Sequence, residues 1–167
     1  NVFAGPFEQA EYATGRFDAV TMWDVLEHLH DPLASLREVR RIVRPGGLLF
    51  VRVPDAGSIM ARLCGDYWSG YDLPRHMTMF TLPTLLRMLA ASGFDWPQTI
   101  YWSGSYLAAL HSLRFALDDG RLPPEQAAQL HRALQTAPVR VVAWLPFRLA
   151  DWLGQGSNME VLSHAQW

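Results

Sequence analysis

Carboxylate and imidazole side chains are concentrated in one short stretch, at Asp24, Glu27, His28, His30 and Asp31. Imidazole exchanges protons near neutral pH, and both groups are ligands for zinc or iron. A helix N-cap explains Asp31 and an exposed turn explains His30, which leaves three groups that need a role. Because no second cluster has metal-ligand spacing, the sequence favours a cofactor or substrate pocket over a metal site.

A second candidate group lies in the long connection over residues 54–81, where Tyr71, Arg75 and His76 stand close together. Connections of this length in a compact domain are usually functional or disordered. His76 could relay a proton, or its ring could simply tie the loop to the sheet by hydrogen bonds. Arg75 is expected to anchor a carboxylate or a carbonyl-rich turn rather than a substrate, and Glu27 is its natural candidate partner.

Nucleophilic chemistry has little support elsewhere in the chain. Cys64 has no activating base near it in the sequence, and Ser58 lacks the second glycine of a nucleophile elbow. The Gly-Gln-Gly turn over 154–156 follows a predicted helix and precedes a predicted strand, the reverse of a dinucleotide-binding turn. All 14 cationic residues are arginine, which excludes a Schiff-base lysine and a phosphate-loop lysine.

The elements that must position the acidic cluster are predicted as strand, loop, helix, glycine turn and buried strand. Residues 17–23 form the first strand, Asp31 opens a helix with apolar residues at helical spacing, and the Pro-Gly-Gly turn over 45–47 stops it. The leucine- and valine-rich run 48–53 is typical of a strand covered on both faces. This is half of a doubly wound α/β sheet, in which ligands bind at the carboxyl ends of the strands.

The remaining segments predict further helices and short strands. Thr81 caps a helix, and a strand is predicted over 94–102. Helical patterns follow between residues 105 and 153, and the alternating residues 159–163 could add an edge strand. Residues 1–5 are predicted to be the tail of a short strand.

The composition is typical of a cytoplasmic globular protein. Hydrophobic residues make up 50% and charged residues 18% of the 167 residues, and the net charge is −2, so nucleic acid is not an expected partner. A single cysteine and the absence of a signal-peptide pattern favour the reducing cytoplasm. The tryptophan-containing segment Val139–Leu153 is too interrupted to span a membrane. We expect it to pack in a core or a dimer rather than lie at a membrane interface.

Five motifs occur in a fixed order: Phe17-Asp18-x-Val20, Asp24-Val25-Leu26-Glu27-His28, Asp31-Pro32, Arg44-Pro45-Gly46-Gly47, and Asp72-Leu73-Pro74-Arg75-His76 before Phe80. Together they resemble the class I S-adenosylmethionine-dependent methyltransferases, most closely the branch similar to ubiquinone-biosynthesis O-methyltransferases. The resemblance covers residues 1 to about 100, and residues 154–165 resemble the closing strand of that family.

The resemblance implies an α/β fold with a partial Rossmann-like sheet. The complete family sheet has the strand order 3-2-1-4-5-7-6, and this chain would begin at the third strand. Residues 1–103 would form the C-terminal part of the Rossmann-like domain, residues 104–153 a helical insertion, and residues 154–167 the closing strand.

The resemblance also implies a cofactor, a reaction and the residues that serve them. His28 or His76 would remove a proton from a small-molecule acceptor, and Tyr71 and Arg75 would bind that acceptor. The first two strands and the glycine-rich cofactor loop are missing from the chain, so weak or no activity of the chain alone is expected. S-adenosylmethionine would be flanked by Phe7, Glu8, Met22, Trp23 and Asp24.

Loss of a neighbouring strand would leave the strand over 19–23 with an unpaired apolar edge, which tends to recruit another chain. The prediction is therefore a homodimer, or a displacement of residues 1–16 that covers this edge. Two further functions stay open for residues 104–153. They could form a helical module for dimerisation or substrate recognition, or a membrane-surface anchor for a lipid-like acceptor.

Overall fold

The computed structural model describes residues 2–5, 7–95, 97, 99–119, 123–134 and 136–166. Four strands form its sheet: β1 (Phe17–Trp23), β2 (Val43–Pro54), β3 (Thr99–Ser103) and β4 (Asn158–His164). Their order is β1-β2-β4-β3, with β1 parallel to β2, and β4 antiparallel to both β2 and β3. The predicted α/β class with a Rossmann-like sheet is confirmed, and the order corresponds to 4-5-7-6 in the implied arrangement.

Six α-helices accompany the sheet in the described residues: α1 (Pro32–Ile42), α2 (Ile59–Cys64), α3 (Leu82–Ala91), α4 (Ser105–Asp118), α5 (Pro124–Leu134) and α6 (Ala137–Trp152). Two predicted helix starts are confirmed. At the start of α1, the Ala34 N–H donates to Asp31 Oδ1 at 2.9 Å, and at the start of α3, Thr81 forms a capping box with Thr84. Helices α4, α5 and α6 follow β3 in the sequence and precede β4. No described helix is long and apolar enough to cross a bilayer.

The hydrophobic core lies between one face of the sheet and helices α1 and α3. Leu49 of β2 is fully buried there with Leu36 of α1 and Leu85 of α3. Because side chains alternate along a strand, Phe50 lies on the opposite face, where it is half-buried and its ring centroid is 4.4 Å from that of Trp23. Strand β2 therefore carries apolar residues on both faces, but its second face is half-buried rather than covered as predicted.

The end of the first helix differs from the prediction. Helix α1 ends at Ile42, before the Pro-Gly-Gly turn, because Val43 already has an extended backbone and pairs with Phe17. Gly47 lies inside β2, where an added Cβ would come within 2.6 Å of Val43 Cγ1 and 2.9 Å of Asp18 O. Glycine at this position therefore permits the close approach of β1 rather than only stopping a helix.

Two predicted strands are also corrected. Among the described residues of 94–102, strand structure is confined to β3, and Phe94 makes an isolated bridge to Ala165. Pro97 lies between the two and has no N–H to donate to a neighbouring strand. Residues 2–5 form no strand, contrary to the prediction, and Asn1 lies outside the described residues.

One edge of the sheet is formed by β1, whose only strand neighbour among the described residues is β2. The preceding segment lies against α1 instead of along β1. The Gly15 N–H donates to Arg41 O at 3.0 Å, and Arg41 Nη2 donates to Tyr12 O at 2.6 Å. The described residues of 2–16 add no strand to the β1 edge, and the predicted covering of that edge stays a prediction.

Candidate functional site

A sharp corner follows β1 and carries the acidic cluster. Asp24 has a φ of 50°, in the left-handed region that aspartate tolerates better than most residues, and its N–H donates to Arg52 O at 3.0 Å. A short 3₁₀ helix over Leu26–His28 comes next. The corner thus places Glu27 and His28 at the carboxyl end of β1.

The loop after α2 is fastened to this corner. The N–H groups of Met77 and Thr78 both donate to Glu27 O, at 2.8 and 3.2 Å. His28 Nδ1 lies 2.9 Å from Arg75 O, and the His28 and His76 ring centroids are 4.7 Å apart. The fold therefore brings together the two sequence segments that were the strongest candidates for chemistry.

The two histidines have the same hydrogen-bond arrangement. His76 Nδ1 lies 2.7 Å from Gly70 O, as His28 Nδ1 lies close to Arg75 O. A carbonyl oxygen can only accept a hydrogen bond, so the Nδ1 of each ring carries the proton. The Nε2 of each ring is then free to take up a proton. His76 thus ties the loop to itself rather than to the sheet, and its Nε2 remains available 3.8 Å from Asp72 Oδ2.

Glu27 is the most unusual group at the site. Its side chain is only 1% exposed, and neither carboxylate oxygen has a hydrogen-bond partner among the described residues. Burial raises the pKa of Glu27 above its ordinary value, while first the backbone N–H of Glu27 and then the neighbouring His76 oppose that shift. An unpaired carboxylate in this environment can bind a cation or take up a proton.

The predicted pairing of Arg75 with Glu27 is wrong. Arg75 Nη2 instead lies 2.6 Å from Asp72 Oδ2, three residues earlier in the same turn. The hydrogen bond from Arg75 holds the pKa of Asp72 below its ordinary value. The turn makes Asp72 the nearer carboxylate, so the guanidinium stays at the surface and Glu27 stays unpaired.

A pocket of about 230 Å³ opens beside the corner, between the loop and the start of α4. Arg52 lines this pocket, and its Nε lies 3.3 Å from Asp24 Oδ1, an ion pair too bent to be a hydrogen bond. Sequence reasoning missed Arg52, although it is the one charged residue in the apolar run 48–53. Other lining residues that it missed are Ser69, Leu107, His111, Ser157 and Asn158.

The cluster could also hold a metal ion. One carboxylate oxygen of Glu27 and one ring nitrogen each from His28 and His76 lie within 4.8 Å of one another. Histidine ligands of metals usually donate their other ring N–H to a carbonyl or carboxylate, as both of these rings do. The three residues therefore offer a mixed nitrogen and oxygen donor set that suits zinc or iron.

The other predicted site residues lie in different surroundings. Met22 is buried in the core and Phe7 packs against that core, whereas Trp23 is exposed on the second face of the sheet. Glu8 is in a short 3₁₀ helix, and its side chain lies outside the described residues. Tyr71 is half-buried, with its ring centroid 5.2 Å from that of Trp68. The cofactor and acceptor roles of these residues remain predictions.

Solved structures of methyltransferases share this fold. A SAM-dependent methyltransferase from Thermotoga maritima is 15% identical, with a TM-score of 0.57 over 97% of this chain and 62% of that chain. The Burkholderia thailandensis 1,6-didemethyltoxoflavin-N1-methyltransferase, solved with 1,6-didemethyltoxoflavin and S-adenosylhomocysteine, is also 15% identical. Its TM-score is 0.51 over 99% of this chain and 50% of that chain.

Sequence relatives point in the same direction. A ubiquinone biosynthesis O-methyltransferase from Xanthomonas oryzae is 53% identical over 38 residues, which are 23% of this chain and 16% of that relative. The Pseudomonas aeruginosa protein of the same name is 43% identical over 44 residues, 26% of this chain and 19% of its own length. A sequence profile of the methyltransferase domain matches residues 1–98, more than half of the chain. The chain therefore belongs to the methyltransferase domain family.

Proposed function

We propose that this protein takes part in methyl transfer from S-adenosylmethionine to an oxygen or nitrogen of a small-molecule acceptor. The observation that carries the proposal is the meeting of the Asp24–His28 corner with His76 at the carboxyl end of β1. That edge is where ligands bind in parallel α/β sheets. Membership of the methyltransferase domain family supports the choice of reaction.

The charges of the site fit a positively charged methyl donor. When bound, S-adenosylmethionine supplies a methyl group on a sulfonium cation. The buried, unpaired carboxylate of Glu27 would favour a cation beside the corner, whereas the carboxylate of Asp24 already faces Arg52. We assign Phe7, Glu8 and Trp23 to the same cofactor, and Met22 to a contact through its backbone because its side chain is buried.

The two histidines are proposed as proton acceptors. Attack by the acceptor on the methyl carbon would form an oxygen–carbon or nitrogen–carbon bond while the sulfur–carbon bond breaks and the sulfur leaves as a neutral thioether, and the acceptor would lose its proton. Nε2 of His28 or His76 can take up that proton because each Nδ1 already donates to a carbonyl. Tyr71 and Arg75 are proposed to contact the acceptor from the loop, and the fold holds the reactants in line.

A second candidate role for these side chains is to bind a divalent metal ion. The closeness of three free ligand atoms on Glu27, His28 and His76 favours this role. Such an ion would lower the pKa of an acceptor hydroxyl, and the histidines would then act as ligands rather than as bases. Activity in the presence of a chelator separates the two roles.

The proposal also covers the oligomeric state of the protein and its cellular compartment. The chain covers less than a fifth of the length of the curated relatives that it matches, so the activity of the whole protein is itself proposed. We propose a cytoplasmic homodimer formed through the edge of β1, which pairs only with β2 among the described residues. No nucleic-acid partner is proposed.

Thermal unfolding with S-adenosylhomocysteine tests the cofactor assignment. A ligand at one hundred times its Kd stabilises a protein by about 2.7 kcal/mol. This corresponds to a Tm increase of several degrees, at about 2–4 °C per kcal/mol for a chain of this size. We expect Asp24→Asn to lose most of the increase. Asp18→Asn, at the opposite end of β1, should keep it. An equal increase in both variants, or none in the unmodified protein, would contradict the proposal.

A further inference from the structure

Arg52 is the charged residue in the apolar run of β2, and it contacts the corner after β1 through both its backbone and its side chain. Its carbonyl oxygen accepts the Asp24 N–H at 3.0 Å, and its Nε lies 3.3 Å from Asp24 Oδ1. Its guanidinium carbon is 6.0 Å from the centroid of the Trp23 ring, close enough for a cation–π attraction. Arg52 thus restrains the aspartate whose left-handed backbone, with a φ of 50°, forms the corner.

A second carboxylate stands opposite Arg52 in the sheet. Glu160 of β4 is its register partner, and opposite charges on facing residues of two strands attract each other. Glu160 Oε1 instead accepts a hydrogen bond from the Ser103 hydroxyl at 2.6 Å, and the ion pair of Arg52 is with Asp24. The charge of Arg52 is therefore paired at the corner rather than across the sheet.

Asn158 of β4 also holds the guanidinium. In the one orientation of the Asn158 amide that gives both of its groups a partner, Oδ1 accepts from Arg52 Nη2 at 2.9 Å and Nδ2 donates to Ser157 O at 3.3 Å. Gly104 leaves room for this amide, because an added Cβ would come within 2.6 Å of it. A planar guanidinium that is held at two places keeps one orientation.

Fold stability alone does not explain this arrangement. Arg52 Nε is buried and has no hydrogen-bond partner among the described residues, and an unsatisfied buried donor is unfavourable. The Asp24 side chain is 47% exposed, and its Oδ2 accepts no hydrogen bond in the part of the chain that the structure describes. Asp24 and Arg52 both line the pocket of about 230 Å³. The pair therefore leaves one carboxylate oxygen available to a ligand in that pocket.

We propose that Arg52 is a positioning residue that fixes the Asp24 carboxylate so that Asp24 Oδ2 accepts a hydrogen bond from the cofactor. A carboxylate that a guanidinium already neutralises has less attraction for a second cation. It remains a strong acceptor for a neutral donor, such as a hydroxyl or amino hydrogen. The inference rests on the proposed cofactor binding and deepens it, because it gives Asp24 and Glu27 different parts of the ligand to contact.

A double-mutant cycle measures whether Arg52 acts through Asp24. Calorimetric titration with S-adenosylhomocysteine gives the Kd of the intact protein, of Arg52→Gln, of Asp24→Asn and of the double variant. We expect Arg52→Gln to raise the Kd about tenfold in the unmodified protein, but less than about twofold when Asp24 is already replaced. Arg52→Lys should recover part of the loss, because lysine keeps the charge but lacks the planar fork.

Arg44→Gln is the matched control for this cycle. Arg44 Nε lies 2.6 Å from Asp18 Oδ1, so that pair joins the same two strands at their opposite end. Arg44→Gln should leave the Kd unchanged. The inference is overturned if Arg52→Gln weakens binding equally with and without Asp24, as a residue that only supports the fold would do. Tighter binding by Arg52→Gln would overturn it too, because Arg52 would then compete with the ligand for Asp24.

Two further measurements cover the other outcomes. If Arg52→Gln does not fold, Asn158→Ala takes its place and should raise the Kd about threefold only while Asp24 is present; an unchanged Kd would count against the inference. No binding by the unmodified protein would contradict the proposed cofactor, and amide hydrogen exchange without ligand then decides the inference. Arg52→Gln should speed exchange in residues 24–28 at least about threefold, and Arg44→Gln should not. Equal exchange in these two variants would refute the positioning role.

Discussion

Glu27→Gln is expected to make the protein more stable at pH 7, by about 1 kcal/mol or more. Glu27 is buried, and its carboxylate oxygens have no hydrogen-bond partner among the described residues. The ionised form is therefore costly in the folded state, whereas the amide carries no charge and has nearly the same shape. Urea unfolding of both proteins at pH 7 measures the difference in free energy.

The same substitution should weaken methyl transfer. A carboxylate beside a histidine stabilises the positive charge that forms when the ring takes up a proton. Glu27 lies beside His28 and His76, so its loss should lower the rate by about tenfold to a hundredfold. Higher stability combined with lower activity is typical of a group retained for function.

The stability gain should depend on pH. Burial places the pKa of Glu27 in the folded state above its ordinary value of 4.5. The native state then holds the proton more tightly, so the free energy of unfolding falls as pH rises from 4.5 to the folded pKa. The advantage of the glutamine variant should therefore be full above this window and disappear below pH 4.5.

Glu38→Gln is the control with the opposite sign. Its hydrogen bond with Arg41 lowers the pKa of Glu38, so the ionised form stabilises the folded state. That stability is present above the unfolded pKa and is lost as pH falls through the folded one. Glu38→Gln should lose stability at pH 7. A Glu27→Gln variant that also loses stability at pH 7 would show that the buried carboxylate has a partner.

The second large effect is expected from the histidine pair. His28→Ala and His76→Ala should each lower the rate of methyl transfer by about a hundredfold to ten-thousandfold if that ring is the base. The assay follows a labelled methyl group from S-adenosylmethionine to a panel of phenols, carboxylates and amines, with the intact protein. His30→Ala is the control, since His30 lies two residues from His28 but makes no hydrogen bond to the loop among the described residues.

The same assay distinguishes a base from a metal ligand. A base gives a rate of methyl transfer that does not change when EDTA is added. A metal ligand gives activity that EDTA abolishes and added zinc or magnesium restores. Unchanged turnover in both alanine variants would rule out both roles for the pair.

Local signals in the sequence were sufficient for much of the fold. The structure contains the helix starts predicted at Asp31 and Thr81 and the strand predicted from the apolar run of β2. These three features depend on residues that are close together in the sequence. The end of α1 was misplaced because Pro-Gly-Gly is a strong local stop signal. The pairing of Val43 with Phe17, which ended the helix earlier, is a contact between distant segments.

In the site, too, the sequence predicted local features but not the contacts between side chains. The residue types at Asp24, Glu27, His28 and His76 were visible in the sequence, but the partner of each was not. Arg75 pairs with Asp72 because of a turn geometry that sequence spacing does not reveal. Arg52 was missed because the apolar pattern of residues 48–53 predicts a buried strand and gives no role to its single charged residue. In the structure this residue lines the pocket.

The central claim is that the corner at Asp24–His28 and the His76 loop form one wall of a nucleoside-sized site. Histidine ring signals in ¹H–¹³C NMR, titrated with S-adenosylhomocysteine, test it most directly. His164 is an internal reference, because its Nδ1 lies 3.2 Å from Gly46 O at the opposite end of β2. We predict that the His28 and His76 signals shift together with one apparent Kd while the His164 signal stays in place. Saturable shifts of His164 with unmoved His28 and His76 signals would contradict the account.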